Sequence, residues 1–178
     1  MDYTAHYESP LGGITLGSDG KALIGLWFDG QKYFADTIGK EHKEQQDLAV
    51  FDCARRWLDI YFTGKAPDFT PSLLMRTTTF RRRVWEVMLK IPFGKTMTYG
   101  DISHIIAKER GLTSMSAQAV GGAVGHNSIS LIIPCHRVVG TNGSLTGYAG
   151  GIDKKVQLLQ MEGALMHDLF VPTKGTVL

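Results

Sequence analysis

The first part of the chain alternates between short apolar runs and turn residues. Apolar and polar positions alternate over residues 14–17, and an apolar run over residues 23–28 follows the turn at Ser18-Asp19-Gly20. This pattern predicts a β-hairpin. Apolar side chains then recur at helical spacing over residues 46–62, which predicts an amphipathic helix. The N-terminal part is therefore expected to be an antiparallel sheet with one helix.

Residues 63–79 contain two prolines and read as a linker, after which the pattern becomes helical. An apolar stripe over residues 80–89 predicts a helix that ends before Pro92. The change of pattern predicts two domains, residues 1–75 and residues 76–178.

Two further helices are predicted close together in the second domain. Thr98 and Asp101 have the spacing of a capping box, which marks the start of the first. The second is expected over residues 117–124, after a polar turn. Two short helices joined by such a turn indicate a helix-turn-helix.

The second of these helices consists mainly of small residues. Gly121 and Gly122 each weaken a helix by about 1 kcal/mol relative to alanine. Either tight packing against another helix or close approach of an external partner would explain them. The whole stretch from Gly111 to His136 has no Asp, Glu, Lys or Arg, which favours the second explanation, since helix N-terminal amides can contact phosphates without charged side chains.

Composition adds a charge asymmetry to this picture. The chain has 178 residues, of which 43% are apolar and 20% charged, as in ordinary globular proteins. The net charge of +2 is the sum of two unequal parts. Residues 1–75 contain seven basic and eleven acidic residues, whereas residues 76–178 contain twelve basic and six acidic residues. A basic half is typical of a protein that binds a polyanion, although solvated surface explains it equally well.

Several classes of site and location are not indicated. The two cysteines cannot form a disulfide framework, and they lack the paired Cys/His spacing of a zinc site. No glycine-rich phosphate-binding loop is present, so neither metal nor cofactor is expected. The N-terminus lacks the pattern of a signal peptide and no apolar run is long enough to span a membrane, so we expect a cytoplasmic protein with reduced thiols.

The candidate chemistry lies after an apolar run at residues 131–133, which predicts a buried strand or extended segment. It ends at Pro134, and Cys135 follows beside His136 and Arg137. Nearby cationic groups lower the pKa of a thiol and make it a nucleophile. Neighbouring side chains of an extended chain point apart, however, so contact between thiol and imidazole would need a turn or a bridging water. The alternative is a core cysteine beside a surface His-Arg pair.

Two other polar residues are candidates for the same site. Asn127 is able to brace a turn through its side-chain amide. Glu162 lies at the end of a helix predicted for residues 153–162, where the helix dipole disfavours a carboxylate. That cost suggests a role such as orienting a histidine, although an ordinary surface glutamate would fit the pattern too.

These motifs together resemble a known family. In order, the chain carries Ala-Val-Gly-Gly-Ala-Val-Gly-His-Asn ending at residue 127, Ile-Pro-Cys-His-Arg-Val-Val ending at residue 139, Thr-Gly-Tyr-Ala-Gly-Gly ending at residue 151, and Glu162-Gly163. The pattern closely resembles the O6-alkylguanine-DNA alkyltransferases (methylated-DNA–protein-cysteine methyltransferases) from about residue 80 to residue 163. Residues 1–75 match that family only in general layout.

The resemblance implies a two-domain α+β fold and a repair reaction. Its N-terminal α/β domain would be ribonuclease-H-like, and its C-terminal domain mostly helical and winged-helix-like with a helix-turn-helix. A monomer would bind double-stranded DNA in the minor groove, flip out O6-alkylguanine and transfer the alkyl group irreversibly to its own cysteine. Each molecule would act once, without a cofactor. Acceptance of O4-alkylthymine is left open.

The resemblance also implies roles for individual residues. Cys135 would accept the alkyl group, His136 would deprotonate it through a water, and Glu162 would orient the imidazole. Asn127 would brace the turn before the cysteine, and Tyr99 would help to rotate the nucleotide out and donate a hydrogen bond to the purine ring as guanine leaves. The base-contacting residues would be Val138, Tyr148 and Ala149. The DNA-contacting residues would be Ser116, Ala117, Gln118, Ala119, Gly121 and Arg137.

Three positions depart from the family pattern. Gln118 replaces a frequent arginine that fills the space of the flipped base, Ser128 replaces a frequent proline, and Gln157 replaces a frequent tryptophan. Gln118 is the best support for an alternative function, a helix-turn-helix sensor that binds alkylated DNA without repairing it. A Cys-His hydrolase is a third possibility, without specific support.

The charge can be assigned to parts of the second domain. Between residues 111 and 152 the only residue expected to be ionised is Arg137. A basic rim must therefore supply the positive field; we expect it to consist of Arg76, Arg81, Arg82, Arg83, Lys90, Lys95, Lys154 and Lys155.

Overall fold

The computed structural model describes residues 1–164 and 166–172, which form two compact units. The first unit contains residues 1–76 and a later segment, Ser128–Ile132. The second contains Thr77–Asn127 and the described residues from Ile133 onward. The main break between the units thus falls in the predicted linker, and five residues of the second half join the first unit.

The first unit is a four-stranded sheet with one helix. The sheet has the order β3-β2-β1-β4, in which β1 to β3 are antiparallel and β4 pairs parallel with β1. The strands are β1 (Asp2–Ser9), β2 (Gly12–Ser18), β3 (Leu23–Phe28) and β4 (His42–Glu44). The sheet is therefore mixed rather than purely antiparallel as expected. The predicted helix is present as α1 (Ala49–Tyr61), and it buries one apolar face.

The later segment lies along the edge of β3. The amide of Leu26 donates to the carbonyl of Ser128 at 2.8 Å, and the amide of Ser130 donates to the carbonyl of Leu26 at 2.9 Å. Ser128 and Ser130 are buried, so this pairing satisfies backbone groups that would otherwise lack a partner. Residues Ser128–Ile132 are therefore held within the first unit by pairing with β3.

The second unit is mostly helical. Its helices are α2 (Thr79–Met88), α3 (Tyr99–Glu109), α4 (Ala117–Gly125) and α5 (Ile152–Met161). The capping box is confirmed, because the Thr98 hydroxyl accepts from the Asp101 amide at 3.0 Å and the Asp101 carboxylate accepts from the Thr98 amide at 2.9 Å. Strands β5 (Met97–Thr98) and β6 (Val138–Val139) form a short parallel pair.

Helices α3 and α4 form the expected helix-turn-helix, and one buried and one partly buried hydrogen bond hold them in place. The indole of Trp85 in α2 donates to the Ala123 carbonyl of α4 at 2.9 Å. The Ser103 hydroxyl of α3 donates to the Met115 carbonyl at 2.6 Å, in the turn before α4. Within the described part of the chain, no helix is long and apolar enough to cross a membrane.

Candidate active site

The candidate cysteine lies on a tight turn in the second unit rather than at the end of a strand. Two γ-turns precede it. The Ile132 amide donates to the Ser130 carbonyl at 2.8 Å, and the Cys135 amide donates to the Ile133 carbonyl at 2.9 Å. The buried strand or extended segment expected at residues 131–133 is therefore wrong, because these residues form turns, although they are buried as expected. The physical reason is Leu131, whose φ of 69° turns the chain out of extended geometry.

Cys135 begins a 3-10 turn that ends at Arg137 and is only 5% exposed. Burial raises the pKa of the thiol, while hydrogen bonding from the Asn127 side chain and the positive charge of Lys155 act to lower it. The backbone amides of Cys135 and His136 act in the same direction. The sulfur is thus surrounded by groups that would stabilise a thiolate.

Asn127 lies at the base of this turn. Its side-chain amide donates to the carbonyl of Ile133 at 2.7 Å, and both groups are buried. Since the amide has two N–H groups, one fixes the backbone before the turn and the other is available to the thiol of Cys135. The structure therefore brings Asn127 to the place that a turn-bracing residue requires.

His136 and Glu162 form a fully buried pair. The imidazole Nε2 lies 2.7 Å from Oε1 of the carboxylate, and neither side chain is exposed. Burial lowers the pKa of His136, although Glu162 opposes that shift, so the imidazole is neutral near pH 7. A carboxylate can only accept hydrogen bonds, which places the proton of a neutral imidazole on Nε2 and the lone pair on Nδ1.

Arg137 is also directed to Glu162, not to the protein surface. Its guanidinium donates to the carboxylate at 2.8 and 2.9 Å and to the Ile91 carbonyl at 2.8 Å, and the residue is only 8% exposed. Burial alone would raise the pKa of Glu162, but the bonds from His136 and Arg137 hold it well below its usual range. The structure does not support the expected DNA contact by Arg137, because the residue is buried and each of its three guanidinium nitrogens already donates to a protein acceptor.

The two tyrosines expected at the site, Tyr99 and Tyr148, both interact with Cys135. Tyr99 is 8% exposed and donates to the Thr146 carbonyl at 3.3 Å, and burial raises its pKa to about 12, with a contribution from Cys135. Burial also raises the pKa of Tyr148, and the charges of Cys135 and Glu162 add to the shift. Both phenols are therefore neutral hydrogen-bond donors near pH 7.

Val138 and Ala149 differ in how far they are buried. Val138 is fully buried in β6, whereas Ala149 is half-buried in the segment before α5. The carbonyl of Val138 accepts a hydrogen bond from Lys155 at 2.6 Å. A carbonyl has two lone pairs, so that oxygen keeps one for a base.

The N-terminal end of α4 is open to solvent. Ser116 caps the helix by accepting from the Ala119 amide at 3.4 Å, and the first three residues of α4, Ala117 to Ala119, are exposed. Gly121 is half-buried. A Cβ atom at Gly122 would meet nothing within 4 Å, so helix packing does not explain this glycine.

The expected basic rim is partly wrong. Arg76 forms an ion pair with Asp2 at 2.6 Å in the first unit, and Arg83 is paired with Glu86 and Glu109. Lys155 is completely buried and reaches three carbonyl oxygens, those of Val138, Thr146 and Gly147. The helical spacing of residues 155, 158, 159 and 162 would have revealed this, because it places the lysine on the buried face of α5.

No set of three or more His, Cys, Asp or Glu side chains is arranged to hold a metal ion in the described part of the chain.

Comparison with known proteins agrees with this geometry. Residues 79–164 match the family described as 6-O-methylguanine DNA methyltransferase, DNA binding domain. Residues 3–74 match the ribonuclease-like domain of the same proteins. The chain belongs to the 6-O-methylguanine DNA methyltransferase family. The recognition and two-domain fold inferred from the sequence are thus confirmed.

Similar proteins cover nearly the whole chain. A methylated-DNA–protein-cysteine methyltransferase of Mycobacterium tuberculosis is 41% identical over 88% of this chain and 92% of its own length. A protein of the same name from Methanosarcina acetivorans is 40% identical over 91% of this chain and 99% of its own length. A crystal structure of Mycobacterium tuberculosis OGT in complex with DNA has a TM-score of 0.77, with 39% identity over 90% of this chain and 92% of that chain.

Proposed function

We propose that this methyltransferase repairs DNA by moving the alkyl group of O6-alkylguanine to the thiol of Cys135. The observation that carries the proposal is the buried arrangement of Cys135 and His136 on one turn, with Glu162 at the end of α5 bonded to the imidazole. It resembles the nucleophile, base and orienting carboxylate of a catalytic triad. The name of the similar proteins, methylated-DNA–protein-cysteine methyltransferase, supports the same reaction.

The first step is formation of the thiolate. The neutral imidazole of His136 has its lone pair on Nδ1 and removes the proton of Cys135 through a water. The buried carboxylate of Glu162 holds the ring through Nε2 and stabilises the imidazolium that forms. Asn127 and the amides of the turn stabilise the thiolate.

The second step is alkyl transfer. The thiolate attacks the carbon bound to O6, a carbon–sulfur bond forms, and the carbon–oxygen bond breaks with its electrons going to the guanine. Tyr99 or Tyr148, both neutral phenols near the thiol, would donate to the departing base. The thioether product has no easy leaving group, so each molecule reacts once.

The target base must leave the duplex, because the thiol is buried and O6 is stacked inside DNA. Flipping costs a few kcal/mol. The exposed start of α4 is the surface we assign to the minor groove, since its small side chains and free space beside Gly122 permit close approach to a backbone. Gln118 is exposed there and would contact the DNA without adding charge. The cytoplasmic location and the monomeric state expected from the sequence stay predictions.

Stoichiometric transfer tests the proposal. The protein is incubated with duplex DNA that contains O6-methylguanine, and its peptides are weighed. We expect one methyl group per molecule, on the peptide with Cys135. Cys135→Ser should abolish transfer, and Cys53→Ser, which removes the other thiol, should leave it unchanged.

Other outcomes would overturn the proposal in distinct ways. Binding to lesion DNA with no loss of the lesion would favour a sensor. Release of more than one equivalent of product would favour a hydrolase.

A further inference from the structure

Residues 166–170, which we call the tail, pair with the loop that leads to the expected base-contacting residues. The tail begins with a 3-10 turn at Met166–Asp168. The Leu145 amide donates to the Phe170 carbonyl at 2.7 Å, and the Phe170 amide donates to the Gly143 carbonyl at 3.1 Å. These two bonds form a short parallel bridge between the tail and the loop.

Apolar side chains pack at the same contact. Leu145 belongs to a small buried cluster with Val139 of β6 and Leu159 of α5. Met166 and Leu169 of the tail pack against this cluster. The tail is therefore held to the loop by backbone hydrogen bonds and by apolar burial, and both must be given up when it detaches.

Gly143 permits the close approach of the tail to the loop. Its φ is +85°, a conformation that residues with a side chain seldom adopt, and a Cβ atom there would overlap the carbonyl oxygen of Asp168. A larger residue at this position would push the tail away. The contact between loop and tail thus depends on a single glycine.

The loop continues directly into residues 146–151, which we call the substrate segment because it carries Tyr148 and Ala149, two residues expected to contact the base. The carbonyl of Thr146, the first residue of the segment, accepts from the Tyr99 hydroxyl at 3.3 Å. Since the tail holds the preceding residue, Leu145, it fixes the point at which the segment begins.

We propose that the tail is a strap that positions the substrate segment and thereby limits the size of the alkyl group that is transferred. A fixed segment orients the base well and leaves a fixed space, which favours a small alkyl group. A loosened segment yields to a larger group but orients the base less well. This inference rests on the proposed function for its effect on transfer, whereas the effect of the tail on the mobility of the segment is independent of DNA.

The first test uses Gly143→Ala, which displaces the tail and leaves the residues assigned to the reaction unchanged. Hydrogen–deuterium exchange should become faster at the Leu145 amide and in the substrate segment, because the bond to Phe170 is lost. Gly30→Ala is the matched control, since Gly30 has a similar φ of +77° but open space at its Cβ position. Unchanged exchange over residues 145–151 in folded Gly143→Ala would overturn the proposal.

The second readout is the preference for alkyl size, which a general loss of stability does not change. Single-turnover transfer is compared for O6-methylguanine and O6-benzylguanine in the same duplex. In Gly143→Ala we expect methyl transfer to slow about tenfold and benzyl transfer to slow about threefold at most, so the ratio of benzyl to methyl rates rises about threefold or more. A ratio that stays the same or falls would overturn the proposal. Absence of transfer in the wild-type protein would overturn the proposed function instead, and the exchange result would still stand.

A second pair of variants serves if Gly143→Ala does not fold. Leu169→Ser removes an apolar contact of the tail, whereas His167→Ser changes an exposed residue of the same tail. Leu169→Ser should raise the ratio of benzyl to methyl rates, and His167→Ser should not. The pH midpoint for alkylation of Cys135 by iodoacetamide should stay within about 0.3 pH unit of wild type in both. A larger shift in Leu169→Ser would mean that the tail acts on the thiol itself, which would overturn the proposal.

Discussion

Glu162→Gln is the substitution that best tests how His136 and Arg137 depend on the buried carboxylate. The carboxylate accepts from Nε2 of His136 at 2.7 Å, from two nitrogens of Arg137 at 2.8 and 2.9 Å, and from the amide of Gly94 at 3.2 Å. Replacing it by an amide removes the negative charge and one oxygen while it preserves the shape. The variant therefore separates electrostatics from packing.

Two magnitudes follow from this geometry. Arg137 is only 8% exposed, so loss of its partner leaves a buried cation, which costs about 3–5 kcal/mol of unfolding free energy. The imidazole also loses the group that fixes its tautomer and stabilises its protonated form. We expect the methyl-transfer rate to fall by about 10²–10³, or roughly 3–4 kcal/mol in the activation barrier.

The assays are single-turnover transfer from duplex DNA and denaturant unfolding, with Glu41→Gln as an exposed control. Transfer within threefold of wild type in folded Glu162→Gln would refute the orienting role. A large loss of rate with unchanged stability would refute the account of Arg137.

The same carboxylate predicts the pH dependence of stability. The pKa of Glu162 in the folded protein lies well below its unfolded value of about 4.3. Its contribution is therefore fully present above about pH 4.3 and is lost as the pH falls through the folded pKa. Wild type should lose unfolding free energy below about pH 4.3 more steeply than Glu162→Gln does, as measured by urea unfolding at several pH values. If the unfolding free energies of the two proteins changed equally with pH, the low pKa of Glu162 would not be the cause of the acid sensitivity.

Three further predictions concern single contacts. Asn127→Ala should raise the pH midpoint for alkylation of Cys135 and slow transfer at least tenfold, because it removes a hydrogen bond to the thiol; an unchanged midpoint would exclude that bond. Gly94→Ala should lower the free energy of unfolding by about 1–3 kcal/mol in a denaturant assay, since φ is +75° and its Cβ would lie 2.8 Å from the Glu162 carbonyl oxygen. An unchanged free energy of unfolding would show that the backbone at this turn shifts to accommodate the methyl group. Thr98→Ala should cost about 1 kcal/mol by the same assay, through the lost helix cap, with little effect on thiol reactivity.

Much of the fold followed from local signals in the sequence. The hairpin, the amphipathic helix α1, the capping box at Thr98 and the helix-turn-helix depend on spacing and side-chain chemistry within about twenty residues. Such signals act before tertiary contacts form, so they can be read from the chain alone. The parallel pairing of β4 could not be read, because its partner β1 is some forty residues distant in sequence.

The residues around Cys135 show the limit of local signals. Leu131 to Ile133 are apolar in sequence, and buried strands and buried turns look alike at that level. The positive φ at Leu131 is possible because pairing of the preceding residues with β3 fixes the chain there. Three apolar side chains carry no information about that constraint.

The sequence by itself determined the reactive groups, since a thiol, an imidazole and a carboxylate are properties of residue types in a recognisable order. Only the tertiary structure decided what the charged groups do. Arg137 and Lys155 read as surface cations from composition, yet both are buried, one against Glu162 and the other against three carbonyls. The physical reason is that burial of a charge depends on acceptors from distant parts of the chain, and only the folded arrangement brings those acceptors together.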